Sequence, residues 1–217
     1  MNFDKKWETE IYKKKRQINK YPYTSIVSAV NRIFNDKKLK RLNALDLGCG
    51  SGNNTKFLID FGFKNVVSID GSKSIIKEAK KIVKSNKCKF ICADFNEYNF
   101  GKEKYDLIID RGSITHNKKK NINKIYKKIK LALKKNGYFI SHVFSSKHTE
   151  NKKIKSKLFF KQIMRVSNGM IASFFSKKEI FNLSKDFKII EINHLQDTNI
   201  NKKYMSAFWY LILKKNN

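Results

Sequence analysis

Leu45-Asp46-Leu47-Gly48-Cys49-Gly50-Ser51-Gly52-Asn53-Asn54 is the stretch that decides the fold. It closes a short apolar run over 43–47 and opens a helical pattern over 54–61. Glycines at every second position let the chain turn tightly and bring its backbone against a ligand, while the helix that follows presents free amides at its N-terminus. The spacing is Gly-x-Gly-x-Gly rather than the dinucleotide Gly-x-Gly-x-x-Gly, which favours a ligand with no pyrophosphate at the turn.

Downstream, short apolar runs alternate with helical segments. Strands are predicted over 43–47, 65–69, 89–92, 105–110 and 137–143, with helices over 54–61, 73–85 and 122–134. Near-continuous apolar runs such as Leu107-Ile108-Ile109 suit strands covered on both faces. The alternation stops at a lysine-rich insert over 147–175, followed by a short helix over 177–183 and two strands, 187–193 and 204–213. Two strands with no helix between them predict an antiparallel hairpin added to a parallel sheet. Upstream, 3–20 reads as a charged helix with Trp7 and Ile11 on one side, broken before Pro22. Thr24 is then expected to cap a second helix that buries Ile26, Val27, Val30, Ile33 and Phe34. The predicted fold is α/β: a Rossmann-like, doubly wound, seven-stranded, mostly parallel sheet with a C-terminal antiparallel hairpin. With one proline, no linker and no repeat, residues 1–217 are expected to form one domain. Its parts would be a helical cap (1–40), a cofactor-binding core (41–145), a substrate-cap insert (146–175) and a terminal helix and hairpin (176–217).

Composition bounds the function. A chain that is 41% hydrophobic and 13% aromatic can build a core, which excludes disorder as a description of the whole. Cys49, Cys88 and Cys92 are too few for a disulfide framework, and neither a signal peptide nor an apolar run long enough to span a membrane is visible. A cytoplasmic location is expected. The formal charge of +30 has two readings, a polyanionic partner or a solvated lysine coat. Only five of the 48 basic residues are Arg, the side chain whose fork reads nucleic acid, and Lys, Asn and Ile are residues that AT-rich codons favour, so the coat is preferred.

Two acidic residues complete a nucleoside site. Asp70, before Gly71, ends the second strand about 20 residues after the glycines, where a carboxylate can accept from both ribose hydroxyls. Asp94 ends the third strand, placed to meet an adenine edge with Phe95 beside the ring. All three features fall at carboxyl ends of strands, the edge at which open parallel sheets bind ligands. The pattern resembles that of class I S-adenosylmethionine-dependent methyltransferases. Residues 42–145 are similar to that family's first five strands, and 176–213 to its last helix and antiparallel strands. The resemblance implies S-adenosyl-L-methionine as cofactor. Asp46, Gly48, Cys49, Gly50, Ser51 and Gly52 would lie along its methionine part, Asp70 and Gly71 at its ribose, and Asp94 and Phe95 at its adenine.

The acceptor side is read from the fourth strand's end, Asp110-Arg111-Gly112-Ser113-Ile114-Thr115-His116. The resemblance places Asp110 near the cofactor's methionine amine or the acceptor. Arg111 is suited to a carboxylate or phosphate. His116 is the candidate general base, because its ordinary pKa lies near working pH. His142 is a weaker rival, expected to be packed. Asp-Arg-Gly is similar to the run in thiopurine-type methyltransferases. With Pro22 the sole proline, neither an Asn/Asp-Pro-Pro-aromatic motif nor a Pro-Cys nucleophile exists, so two routes to base methylation are excluded. No metal is expected. Trp7, Tyr12 and Tyr21, together with the insert, are expected to cover the acceptor pocket; the insert interleaves Ile154, Leu158, Phe159, Ile163 and Met164 with lysines. The reading is methyl transfer to oxygen or nitrogen of a small-molecule or glycan acceptor, with nucleic acid a less favoured partner. The alternatives are an RNA or protein methyltransferase recruited by the basic surface, and a non-catalytic cofactor-binding partner.

Overall fold

A computed structural model describes residues 3–35, 39–151, 170–198 and 205–216. Seven strands form one sheet: β1 Asn43–Leu47, β2 Asn65–Asp70, β3 Cys88–Cys92, β4 Tyr105–Arg111, β5 Leu133–Phe144, β6 Lys188–Thr198 and β7 Met205–Lys214. Their order is β3-β2-β1-β4-β5-β7-β6. The first five pair in parallel, and β7 runs antiparallel to both β5 and β6, so the mostly parallel sheet with its terminal hairpin forms as predicted.

Both faces are covered. Leu107 and Ile109 of β4 pack with Ile26 and Val30 of α1 (Thr24–Phe34) and Leu58 of α2 (Asn53–Phe61). Ile108 packs on the other side, with Ile125 and Ile129 of one helix, Lys119–Ala132, and Ile180 of another, Lys177–Ser184. Each such fully buried side chain is worth about 1.5–3 kcal/mol, which is why a continuous apolar run is stable here. Lys73–Ile82 is α3, so the two helices on the far face are α4 and α5.

Several boundaries differ from expectation, for local reasons. The helix expected over 3–20 forms only as a π-helical turn, Trp7–Tyr12. Four consecutive cations, Lys13 to Arg16, follow it, and Lys15 takes a left-handed φ of 51°. Thr24 is the first residue of α1 rather than its cap. Tyr23 occupies that position, and its amide donates to Asn54 Oδ1 at 3.2 Å. α3 stops at Ile82 because Val83 is extended, and α4 yields at Leu133, which already pairs with Tyr105 across a bulge. The amphipathic stretch from Ile154 to Met164 lies outside the described residues. Among the described residues, no helix is long and apolar enough to cross a membrane.

Strand order reverses between β1 and β4, the crevice where a doubly wound sheet binds its ligand at the carboxyl ends of the strands. The glycine turn leaves β1 on one side of this crevice, and residues 112–116 leave β4 on the other.

Candidate functional site

Gly48, Gly50 and Gly52 adopt φ of +70°, +52° and +81°, a region that residues with a Cβ rarely occupy. An added Cβ at Gly48 would lie 2.1 Å from Ser113 Cβ, so the loops after β1 and β4 meet there. Gly48→Ala adds left-handed strain to a clash with the Ser113 side chain and should cost about 2–6 kcal/mol. Thermal melting should read this as a fall in Tm of roughly 5–20 °C. Gly50 and Gly112 are different: an added Cβ would meet only Tyr12 Oη, at 3.9 Å, in the first case and nothing within 4 Å in the second. They face a cavity of about 320 Å³ at the crevice.

Asp70 closes one side of that cavity. Its Oδ2 accepts from Gly50 N at 3.1 Å and its Oδ1 from Ser72 N at 2.9 Å. Burial pushes its pKa up to about 6, against the pull of those hydrogen bonds. Asp94 accepts from Phe3 N at 2.7 Å through Oδ2, and from the amide and side chain of Asn96 at 2.9 and 2.8 Å through Oδ1. Both carboxylates line the cavity. Gly71 and Phe95 also line the cavity. Two carboxylates on the cavity wall, beside glycines that permit close approach, fit the hydroxyl and amine donors of S-adenosylmethionine.

Four expected cofactor residues do not line the cavity. Asp46 is buried beneath the turn, where it accepts from Thr55 Oγ1 at 2.6 Å. Burial and the nearby carboxylates of Asp70 and Asp110 raise its pKa to about 7. Ser51 donates to Asn19 O at 2.6 Å, and Gly52 packs against Val83, Ala79 and Phe90. Asp110, expected at the reacting groups, is fully buried instead. Its carboxylate accepts from Ser113 N at 2.9 Å, Ile114 N at 3.0 Å, Ser141 Oγ at 3.1 Å and the Ser113 hydroxyl. Asp110 therefore shapes the loop that carries Arg111 and His116 and does not face the cavity.

His116 and Arg111 do line it. The His116 ring stands edge-on to Trp7, with centroids 4.7 Å apart, and to Phe144 at 5.5 Å, while its Nδ1 lies 3.1 Å from Ile171 O. Burial depresses its pKa to about 4. His142 is packed on Tyr210 and does not line the cavity.

Residues 3–12 form a strap across the opening. Phe3 holds Asp94, as above, and its ring lies where a Cβ of Gly71 would be, 2.2 Å away. Glu8 accepts from Ser74 N at 3.1 Å, Ser74 Oγ at 2.5 Å and the Ser72 hydroxyl, tying the strap to the start of α3. Burial works against ionisation of Glu8, but these hydrogen bonds outweigh it and lower its pKa. Trp7 and Tyr12 line the cavity as expected, whereas Tyr21 is 82% exposed and takes no part. Phe3, Asp4, Tyr23 and Phe208 also line it without having been expected there. Phe208 had no readable signal, because its position depends on the β5–β7 register that pairs it with Phe144.

A family model described as "Methyltransferase domain" matches residues 38–206. Over 129 residues the chain is 36% identical to the ubiquinone biosynthesis O-methyltransferase of Pelagibacter ubique, covering 57% of this chain and 48% of that protein. It is 29% identical over 106 residues to the malonyl-[acyl-carrier protein] O-methyltransferase of Priestia megaterium, covering 48% of this chain and 38% of the relative. The chain thus spans about half or less of the length of these curated relatives. The crystal structure of a SAM-dependent methyltransferase from Methanosarcina mazei superposes with a TM-score of 0.69 over 90% of this chain and 99% of that one, at 18% identity, a likeness of fold.

Proposed function

Because the chain belongs to the class I S-adenosylmethionine-dependent methyltransferases, we propose that it methylates an oxygen or nitrogen of a small or carbohydrate-type metabolite. Two relatives carry O-methyltransferase names, and oxygen is the atom for which His116 is best suited. The observation that carries the reading is the state of that ring. Ile171 O can only accept, so Nδ1 holds the proton and Nε2 keeps its lone pair, on a residue lining the cavity. With its pKa near 4 the ring is neutral at working pH.

S-adenosylmethionine, when bound, would supply a methyl carbon activated by its sulfonium, the C–S electron pair remaining with the departing sulfur. A hydroxyl becomes strongly acidic as its oxygen is alkylated, so a weak base such as His116 Nε2 suffices to take the proton. Asp70 and Asp94 would hold the nucleoside. The strap, with Trp7 and Tyr12, would exclude water and fix the acceptor's line of approach. A cavity of about 320 Å³ walled by Trp7, Tyr12, Phe144 and Phe208 supports a small acceptor.

The test is label transfer. Protein and cofactor with a labelled methyl group are added to a cell extract, which is then separated into metabolites, lipid-linked glycans, RNA and protein. Label is expected in the metabolite or glycan fraction. Label in RNA or protein, falling steeply with salt as phosphate contacts would require, would overturn the proposal and make the lysine coat a binding surface. No label anywhere, despite cofactor binding, would point to a fold that binds without turning over.

A further inference from the structure

Among the described residues, Arg111 is the one Lys or Arg lining the cavity, whose walls also carry Asp4, Asp70 and Asp94. Its guanidinium carbon lies 4.2 Å from the Tyr23 ring centroid and 5.0 Å from that of Phe208. Aromatic faces hold a cation by their quadrupole and leave its N–H donors unused. Among the described residues, no carboxylate pairs with this guanidinium and no acceptor takes any of its hydrogens; Nε is completely buried without a partner. Across the sheet, Arg111 pairs in register with His142 of β5, whose Nε2 is also buried and unpartnered. Burial lowers the pKa of Arg111, yet a guanidinium remains charged. Native proteins rarely leave such donors unmet.

We propose that Arg111 receives a carboxylate of the methyl acceptor, which is therefore a small hydroxy acid. This rests on the methyl-transfer reading above. A carboxylate is planar and singly charged and matches the guanidinium fork through two parallel hydrogen bonds. A phosphate dianion would meet three lining carboxylates with, among the described residues, a single cation to offset them, so it is the poorer match. A carboxylate paired in this way is a weak nucleophile, which makes it the handle. The methyl group goes to the hydroxyl, whose proton passes to His116. Trp7, Phe144 and Phe208 supply flat apolar walls for the body between the two ends.

The experiment compares benzoate with benzamide, and acetate with acetamide, as probes binding to the full chain saturated with S-adenosylhomocysteine. Each pair differs in charge at nearly constant shape. Wild type should prefer the acid over its amide by at least about tenfold, as expected for one charge-assisted contact. Arg111→Leu should abolish that preference, and Arg111→Lys should keep part of it. S-adenosylhomocysteine affinity should stay within about threefold of wild type in both variants. Equal binding of acid and amide by wild type would overturn the proposal. A large loss of S-adenosylhomocysteine affinity in Arg111→Leu would do the same, by assigning the guanidinium to the cofactor's own carboxylate. So would an alkali-labile methyl ester as the product. Label in RNA or protein would sink the small-metabolite reading, while the acid-over-amide preference, read without turnover, is decided independently of it.

Discussion

Asp70→Ala is expected to weaken binding of S-adenosylhomocysteine by about 10²–10⁴-fold in titration calorimetry. In the proposed site this carboxylate accepts from two ribose hydroxyls, and each hydrogen bond to a charged group is worth about 1.5–3 kcal/mol. Asp70 also holds Gly50 N and Ser72 N, so Asp70→Asn serves as the companion variant that keeps an oxygen for the turn. The two should bind comparably poorly while melting differently. A pH signature follows from the same residue. Asp70 has its pKa raised to about 6 in the free protein, and donors from the ligand favour its ionised form. Binding should therefore release a proton near pH 6 and tighten as pH rises from 5 to 7, and this trend should vanish in Asp70→Asn. Equal affinity of wild type and Asp70→Ala would end the ribose assignment.

His116→Ala should act on the other half of the reaction. Removal of a general base typically slows turnover by about 10²–10⁴-fold, whereas affinity for S-adenosylhomocysteine should change by less than about threefold. At saturating cofactor the rate should be level between pH 6 and 8 and decline only as pH approaches 4, where the ring takes up a proton and stops accepting. An ordinary histidine would show that decline near 6.5. Nuclear magnetic resonance titration of the ring, which needs no acceptor, checks the depressed pKa directly. Turnover kept within a few-fold by His116→Ala would remove this residue from the chemistry.

The sheet was legible because βα alternation is written in local periodicity: Leu107-Ile108-Ile109 needs two covered faces whatever surrounds it. That Asp70 and Asp94 would line one cavity was legible because strand ends in this topology converge on one edge. The placement of Asp110 was not legible: with the same type and position as those two, it is drawn inward by Ser113, Ile114 and Ser141. The setting of Arg111 was not legible at all. Tyr23 stands before α1 and Phe208 lies on the last strand, so nothing local in sequence brings them to one guanidinium. The N-terminal segment was legible as a cover through Trp7 and Tyr12 but not in its form: its apolar spacing suits a helix, while contacts to Asp94, Ser72 and Ser74 hold it as a strap.

That strap bears on how the protein is best handled at the bench. Phe3 lies on the rim of the cavity, against Gly71 and Asp94, whereas β7 runs antiparallel to its neighbours and ends at Lys214, opposite Tyr138 near the start of β5. A purification tag or reporter joined ahead of Phe3 would crowd the rim of the cavity. The same appendage joined beyond Lys214 would leave from the opposite rim of the sheet, away from the cavity.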